Sequence, residues 1–120
     1  MIKTKQLVKQ FGSGELAVFA LKDITIEIQA GDFVAIIGTS GAGKSTLLYQ
    51  MSLLDKPTSG EVYINDKKTS TLNEAQKTAL RLTAFGFVFQ DYALLPELTA
   101  LENVALPMLM HGMSRSAAYE

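Results

Sequence analysis

The stretch Gly38-Thr39-Ser40-Gly41-Ala42-Gly43-Lys44-Ser45 fits the pattern G-x-x-x-x-G-K-[ST], and its reading decides the fold. Ahead of it, Phe33-Val34-Ala35-Ile36-Ile37 is short, apolar and rich in β-branched side chains, which predicts a buried strand. Behind it, Thr46-Leu47-Leu48-Tyr49-Gln50-Met51-Ser52-Leu53-Leu54 predicts a helix. Strand, glycine loop and helix in that order form a phosphate-cradling unit. Gly41 and Gly43 lack a Cβ, so the backbone can curl and aim successive N–H groups at anionic oxygens. The start of a helix adds unpaired N–H groups and the positive end of its dipole. Lys44 has the reach for β- and γ-phosphates, and the Ser45 hydroxyl suits Mg²⁺. Thr39, Ser40 and Ala42 fill the free positions of the pattern, so any part they take runs through main chain. Thr46 either adds its backbone N–H to the site or simply starts the helix. A glycine turn beside an unrelated surface lysine is the bland alternative, and it does not explain the strand and helix on either side. The stretch implies a nucleoside triphosphate site.

The 120 residues allow one domain or part of one. A formal net charge of −1 argues against a protein built to grip nucleic acid electrostatically. No cysteine is present, which excludes disulfides and thiolate metal sites. Met1 to Gln6 has no apolar core of signal-peptide length, and no run approaches the roughly 18 apolar residues of a membrane span. The longest candidate, Val104 to Met110, is short and contains Pro107. A membrane role is therefore expected only through a partner.

Ile24, Ile26 and Ile28 alternate with Thr25, Glu27 and Gln29, as a half-buried strand does, and Ala30-Gly31-Asp32 ends it. Leu16 to Leu21 predicts a preceding strand and Ile2 to Phe11 another, an antiparallel group ahead of the glycine loop. Asp55-Lys56-Pro57-Thr58-Ser59-Gly60 reads as a turn, and Glu61 to Asn65 as a strand ended by a solvated turn at Asp66-Lys67-Lys68. Thr71-Leu72-Asn73-Glu74 matches a capping box and predicts a helix from about Leu72 to Leu82. Phe85-Gly86-Phe87-Val88-Phe89 reads as a second apolar strand with Gln90 at its C-terminal end. Thr99-Ala100-Leu101-Glu102 is another capping box, opening a helix that Pro107 should bend or divide, and Ser114 caps one more. Parallel strands flanked by helices, after an antiparallel group, give an α/β fold in which ligands lie beyond the C-terminal strand ends. Gln90 is then placed to approach the phosphates.

Taken with Leu53 to Val62, Phe85 to Gln90 and Leu94 to Val104, the glycine loop makes the chain resemble the nucleotide-binding subunit of ATP-binding cassette (ABC) transporters. The last two segments look most like the branch serving lipoprotein release, macrolide export and cell-division permeases. The resemblance implies the N-terminal part of a P-loop NTPase domain, with an antiparallel β subdomain and the start of a helical subdomain. It implies ATP and Mg²⁺ held by Gly38 to Thr46, with Lys44 and Gln90 in catalysis, and Ser45 and Gln90 at the metal. Phe11 matches the aromatic that stacks on adenine, keeping the stacking face of the usual tyrosine. A plain core position at a strand end is the alternative for Phe11.

The same resemblance implies a second nucleotide-binding subunit and a membrane permease contacted through Gln90 to Met110, on the cytoplasmic side of the membrane. His111, Asp91 and Glu97 do not match the switch histidine or the catalytic acid of the family. The Met108, Met110 and Met113 cluster suits core or a partner-facing helix surface. Residues 1–120 stop before the signature, the Walker B aspartate, the catalytic glutamate and the switch histidine, so by themselves they are expected to bind nucleotide without hydrolysing it. A soluble ATPase of the same superfamily acting on DNA or the ribosome is the competing reading, and a non-functional truncated remnant another. A GTPase or small-molecule kinase is a further one, disfavoured because no Asn-Lys-x-Asp motif is present.

Overall fold

The computed structural model describes all residues, Met1–Glu120, as two compact units, Met1–Lys77 and Thr78–Glu120. The first unit is built on one antiparallel sheet, ordered β2-β1-β3-β4. Its strands are β1 (Ile2–Phe11), β2 (Val18–Ile28), β3 (Ser59–Ile64) and β4 (Lys67–Lys68). Strand β1 lies between β2 and β3, and the core follows it: Thr4 and Leu7 are fully buried, with Leu21, Val62 and Ile64 around them. The buried Thr4 hydroxyl donates to the Ile24 carbonyl (2.9 Å) and accepts from the Ile26 amide (3.1 Å), so its polarity is satisfied inside the ladder.

The β1–β2 ladder is irregular. Gln6 and Asp23 take positive φ, and the register breaks beside each. A third break comes at the far end, where Lys9 pairs with Leu21 but Gln10 pairs with Phe19. Ala20 therefore opposes no residue of β1, the two-against-one count of a β-bulge. Residues Leu16 to Leu21 do not form a strand of their own: Leu16 closes a short 3-10 turn, and Val18 onward belongs to one continuous β2. Lys67 and Lys68, expected in a turn, pair with Ile64 and Tyr63 behind a tight Asn65-Asp66 turn whose residues both have positive φ.

Helix α1 (Lys44–Met51) begins two residues earlier than Thr46 and stops short of Leu54. Leu53 adopts φ +62°, and the amides of Leu54 and Asp55 both close on the Tyr49 carbonyl, which ends the helix. Helix α2 (Glu74–Ala84) begins two residues later than expected. Its cap is Asn73, which exchanges reciprocal hydrogen bonds of 2.9 Å with Gln76, rather than Thr71 with Glu74.

In the second unit, α3 (Ala100–Met110) carries the expected capping box at Thr99 and Glu102. It runs through Pro107 without dividing. Ser114 caps α4 (Arg115–Tyr119) as expected.

The two apolar segments read as parallel strands form none. A strand needs a neighbour for its N–H and C=O groups, and neither 33–37 nor 85–89 pairs with anything. Phe33 is 100% exposed, Ile37 89% and Val88 102%, the reverse of the burial expected. Phe85, Phe87 and Phe89 still stack along one side, with ring centroids 6.0 and 5.7 Å apart. That period of two belongs to extended chain.

Candidate phosphate-loop site

Gly38 to Gly43 form one curled loop that runs into the first turn of α1, Lys44 to Thr46. Gly43, the residue before the helix, has φ +85° and gives no side-chain cap, so the first-turn amides of Lys44, Ser45 and Thr46 carry no intrachain partner. Within the loop the Ala42 amide closes a turn on the Thr39 carbonyl (3.3 Å), around Ser40 and Gly41. Lys44 folds back over this turn, and its ammonium donates to the carbonyls of Gly38 (3.0 Å) and Thr39 (2.7 Å). The loop thus presents N–H donors, a helix start and a held cation on a short arc, the chemistry an oligophosphate requires.

Ser45 is exposed in the first turn of α1, and its hydroxyl makes no intrachain hydrogen bond. A free hydroxyl beside unpartnered first-turn amides fits Mg²⁺, which takes few protein oxygens and completes its shell with phosphate and water.

The loop leans on the sheet. A Cβ placed on Gly43 would collide with the Ala20 carbonyl oxygen and crowd Leu21 Cδ2 (3.3 Å), so only glycine lets α1 start against β2 at the bulge. Val18 is two residues from Ala20, about 7 Å along a strand, and Val18 pairs with Phe11. The aromatic and the phosphate loop therefore share one end of the sheet. Phe11 is 49% exposed, a ring at a strand end with an accessible face rather than a core residue.

A second link joins the same parts. Asp55, just past α1, accepts from the Lys9 ammonium (2.9 Å), the Lys56 amide (2.7 Å) and Gln50 Nε2 (2.7 Å). Partial burial pushes the Asp55 carboxyl up, but these hydrogen bonds and the Lys9 charge outweigh it and hold the group below its ordinary value. Thr58 extends the tie: its amide donates to the Val8 carbonyl (2.9 Å), and its hydroxyl accepts from the Gln10 amide (3.0 Å).

Sequence reading missed Ala20, Lys9, Asp55 and Thr58. Asp55 to Thr58 showed only as a turn, and a bulge leaves no local signature at an alanine. Gln90 lies in the second unit, exposed, at a bend after the stacked phenylalanines. His111 caps the C-terminal end of α3 and is exposed, away from any cluster of metal-ligating side chains.

The sequence profile of the ABC transporter family matches residues 21–120. The chain is 51% identical over 116 residues to the macrolide export ATP-binding/permease protein MacB of Mannheimia succiniciproducens, covering 97% of this chain and 18% of that protein. It is 45% identical over 118 residues to the lipoprotein-releasing system ATP-binding protein LolD of Geobacter metallireducens, covering 98% of this chain and 52% of that one. Among solved structures, the dimeric post-hydrolysis state of the ATP-binding cassette MJ0796 bound to ADP and Pi superposes with a TM-score of 0.91 at 45% identity. It covers 99% of this chain and 53% of that chain. The chain thus spans about half the length of a single cassette and a smaller share of the fused permease.

Proposed function

Because the chain belongs to the ABC transporter family, we propose that it forms the ATP-binding face of a cassette that couples ATP hydrolysis to a membrane permease. The observation that carries this is the loop itself: Lys44 pinned over the Gly38 and Thr39 carbonyls, beside first-turn amides with no other partner. In this reading the amides of Gly41 to Thr46 hold β-phosphate oxygens, and Lys44 spans the β- and γ-phosphates. Ser45 gives one oxygen to Mg²⁺, which when bound neutralises charge developing on the phosphates. Phe11 stacks on the adenine, and Gln90 comes to the metal or the attacking water.

The exposed apolar segments 33–37 and 85–89 support the view that these residues act within a longer cassette, the form in which hydrolysis is expected. The MJ0796 cassette is dimeric, which supports a second nucleotide-binding subunit here. No helix is long and apolar enough to cross a membrane. Attachment to the cytoplasmic face is therefore assigned to a permease, as the naming of MacB as an ATP-binding/permease protein supports. The contact is placed on Gln90 to Met110, where Leu94, Leu101, Val104 and Met110 are all exposed.

Lys44→Ala tests the site. Titration with MgATP should show affinity falling at least about a hundredfold, because the cation is lost and nothing replaces it. Retained affinity would move the triphosphate elsewhere. Charge substitutions at Leu101 and Val104 should uncouple transport while nucleotide binding persists, and loss of binding first would make that segment structural.

A further inference from the structure

Lys9 is held as few surface lysines are. Its ammonium donates to Asp55 Oδ1 (2.9 Å) and to the Lys56 carbonyl (2.7 Å), and it lies 2.7 Å from Asp55 Oδ2 in the same ion pair. The side chain is only 12% exposed. Asp55 is itself fixed, by the Lys56 amide and by Gln50 on the last turn of α1, and Gln50 is fully buried. The same ammonium lies over the Phe11 ring, 5.2 Å from its centroid. Lys9 and Phe11 are two residues apart on β1 and so project from one face.

We infer that Lys9 is a positioning residue for the nucleotide base: clamped by Asp55 to the end of α1, it occupies one face of Phe11 and leaves the other face open for adenine. This rests on Phe11 being the stacking aromatic. An ammonium over one face of a ring attracts its π cloud and fixes its plane before any ligand arrives. A ring already ordered loses less freedom when a base stacks on it. Helix α1 then governs both ends of the ligand. Its first turn faces the phosphates, and its last turn, through Gln50, Asp55 and Lys9, sets the ring for the base.

The test compares MgATP with Mg·tripolyphosphate, which lacks a base, by calorimetric titration of the full chain. Lys9→Met should weaken MgATP about fivefold and leave tripolyphosphate unchanged. Lys9→Arg, which keeps a cation over the ring, should restore MgATP affinity. Phe11→Leu should weaken MgATP more than Lys9→Met does, and adding Lys9→Met to it should cost nothing further. Because Lys9→Met strands a carboxylate, the pair Lys9→Met/Asp55→Asn is measured beside it and should behave the same way.

If Lys9→Met weakens both ligands equally, or if the pair with Asp55→Asn fails to fold, Lys9 is structural and the inference is overturned. If Phe11→Leu weakens MgATP while Lys9→Met changes nothing, Lys9 is idle and the stacking role of Phe11 survives. If Phe11→Leu has no effect, the stacking role falls and this inference falls with it.

Discussion

Two glycines of the phosphate loop share a backbone conformation but differ in their surroundings, which allows a graded prediction. Gly41 has φ +78° and Gly43 φ +85°, both in the left-handed region. An alanine forced there costs about 1–2 kcal/mol. At Gly41 a Cβ meets nothing within 4 Å, so this backbone strain is the whole effect. If nucleotide binding needs the curled loop, Gly41→Ala should weaken MgATP by roughly 5- to 30-fold. At Gly43 the new methyl also runs into the Ala20 carbonyl, which is backbone and cannot swing aside, and crowds the buried Leu21 Cδ2. Overpacking against fixed structure adds about 1–3 kcal/mol, so Gly43→Ala should lose about 2–5 kcal/mol in total.

Part of that loss should appear in the unbound protein, because α1 and β2 must separate whether or not nucleotide is present. The expected result is a melting temperature lowered by several degrees for Gly43→Ala and nearly unchanged for Gly41→Ala, provided the free loop relaxes. MgATP affinity should fall in both variants and further in Gly43→Ala. Thermal unfolding with and without MgATP measures both quantities. Equal melting temperatures and equal affinities for the two variants would refute the reasoning, because they would mean that α1 does not start against the Ala20 bulge.

Acidification should act through Asp55. Its carboxyl is held below its ordinary value in the folded chain, so its contribution to stability is present above the unfolded pKa, near 4, and is lost as pH falls through the folded value. Asp55→Asn should therefore flatten the acid limb of melting temperature against pH below about 4, and an unchanged limb would remove Asp55 as a stabilising group. Thr99→Ala removes the side chain that accepts from the Glu102 amide and the hydroxyl that donates to its carboxylate (2.8 Å). It should cost about 1 kcal/mol, with faster hydrogen exchange at the Glu102 amide and no change in MgATP affinity.

The legible parts of this chain are those whose cause is local. The phosphate loop is local because glycine conformations, one lysine and a helix start lie within nine consecutive residues, 38–46. The Thr99 box is local for the same reason, since its two partners are three residues apart. Ile24, Ile26 and Ile28 showed as a strand because β1 lies beside them and one face is partly buried. Segments 33–37 and 85–89 have equally strong strand composition but no hydrogen-bonding neighbour, and composition cannot supply one. The Ala20 bulge and the Lys9–Asp55 pair were invisible for a related reason. The first is a mismatch between two strands, and the second joins residues 46 apart in sequence.

The loop has a support other than the segment that precedes it. A phosphate loop is expected to hang from the strand before it, and within residues 1–120 that segment has no ladder partner. The antiparallel sheet gives the loop a separate support, through the close approach of Gly43 to Ala20 and the hold of Asp55 on Lys9. Both run to the far end of β1, where Phe11 pairs with Val18. If Phe11 stacks on the base and the loop holds the phosphates, as proposed, the spacing between them is set by two short parts, the end of the sheet and the eight-residue helix α1. A disturbance at Ala20 or Asp55, neither of which is a ligand contact, then shifts one end of the nucleotide relative to the other, and productive geometry fails at displacements near 1 Å.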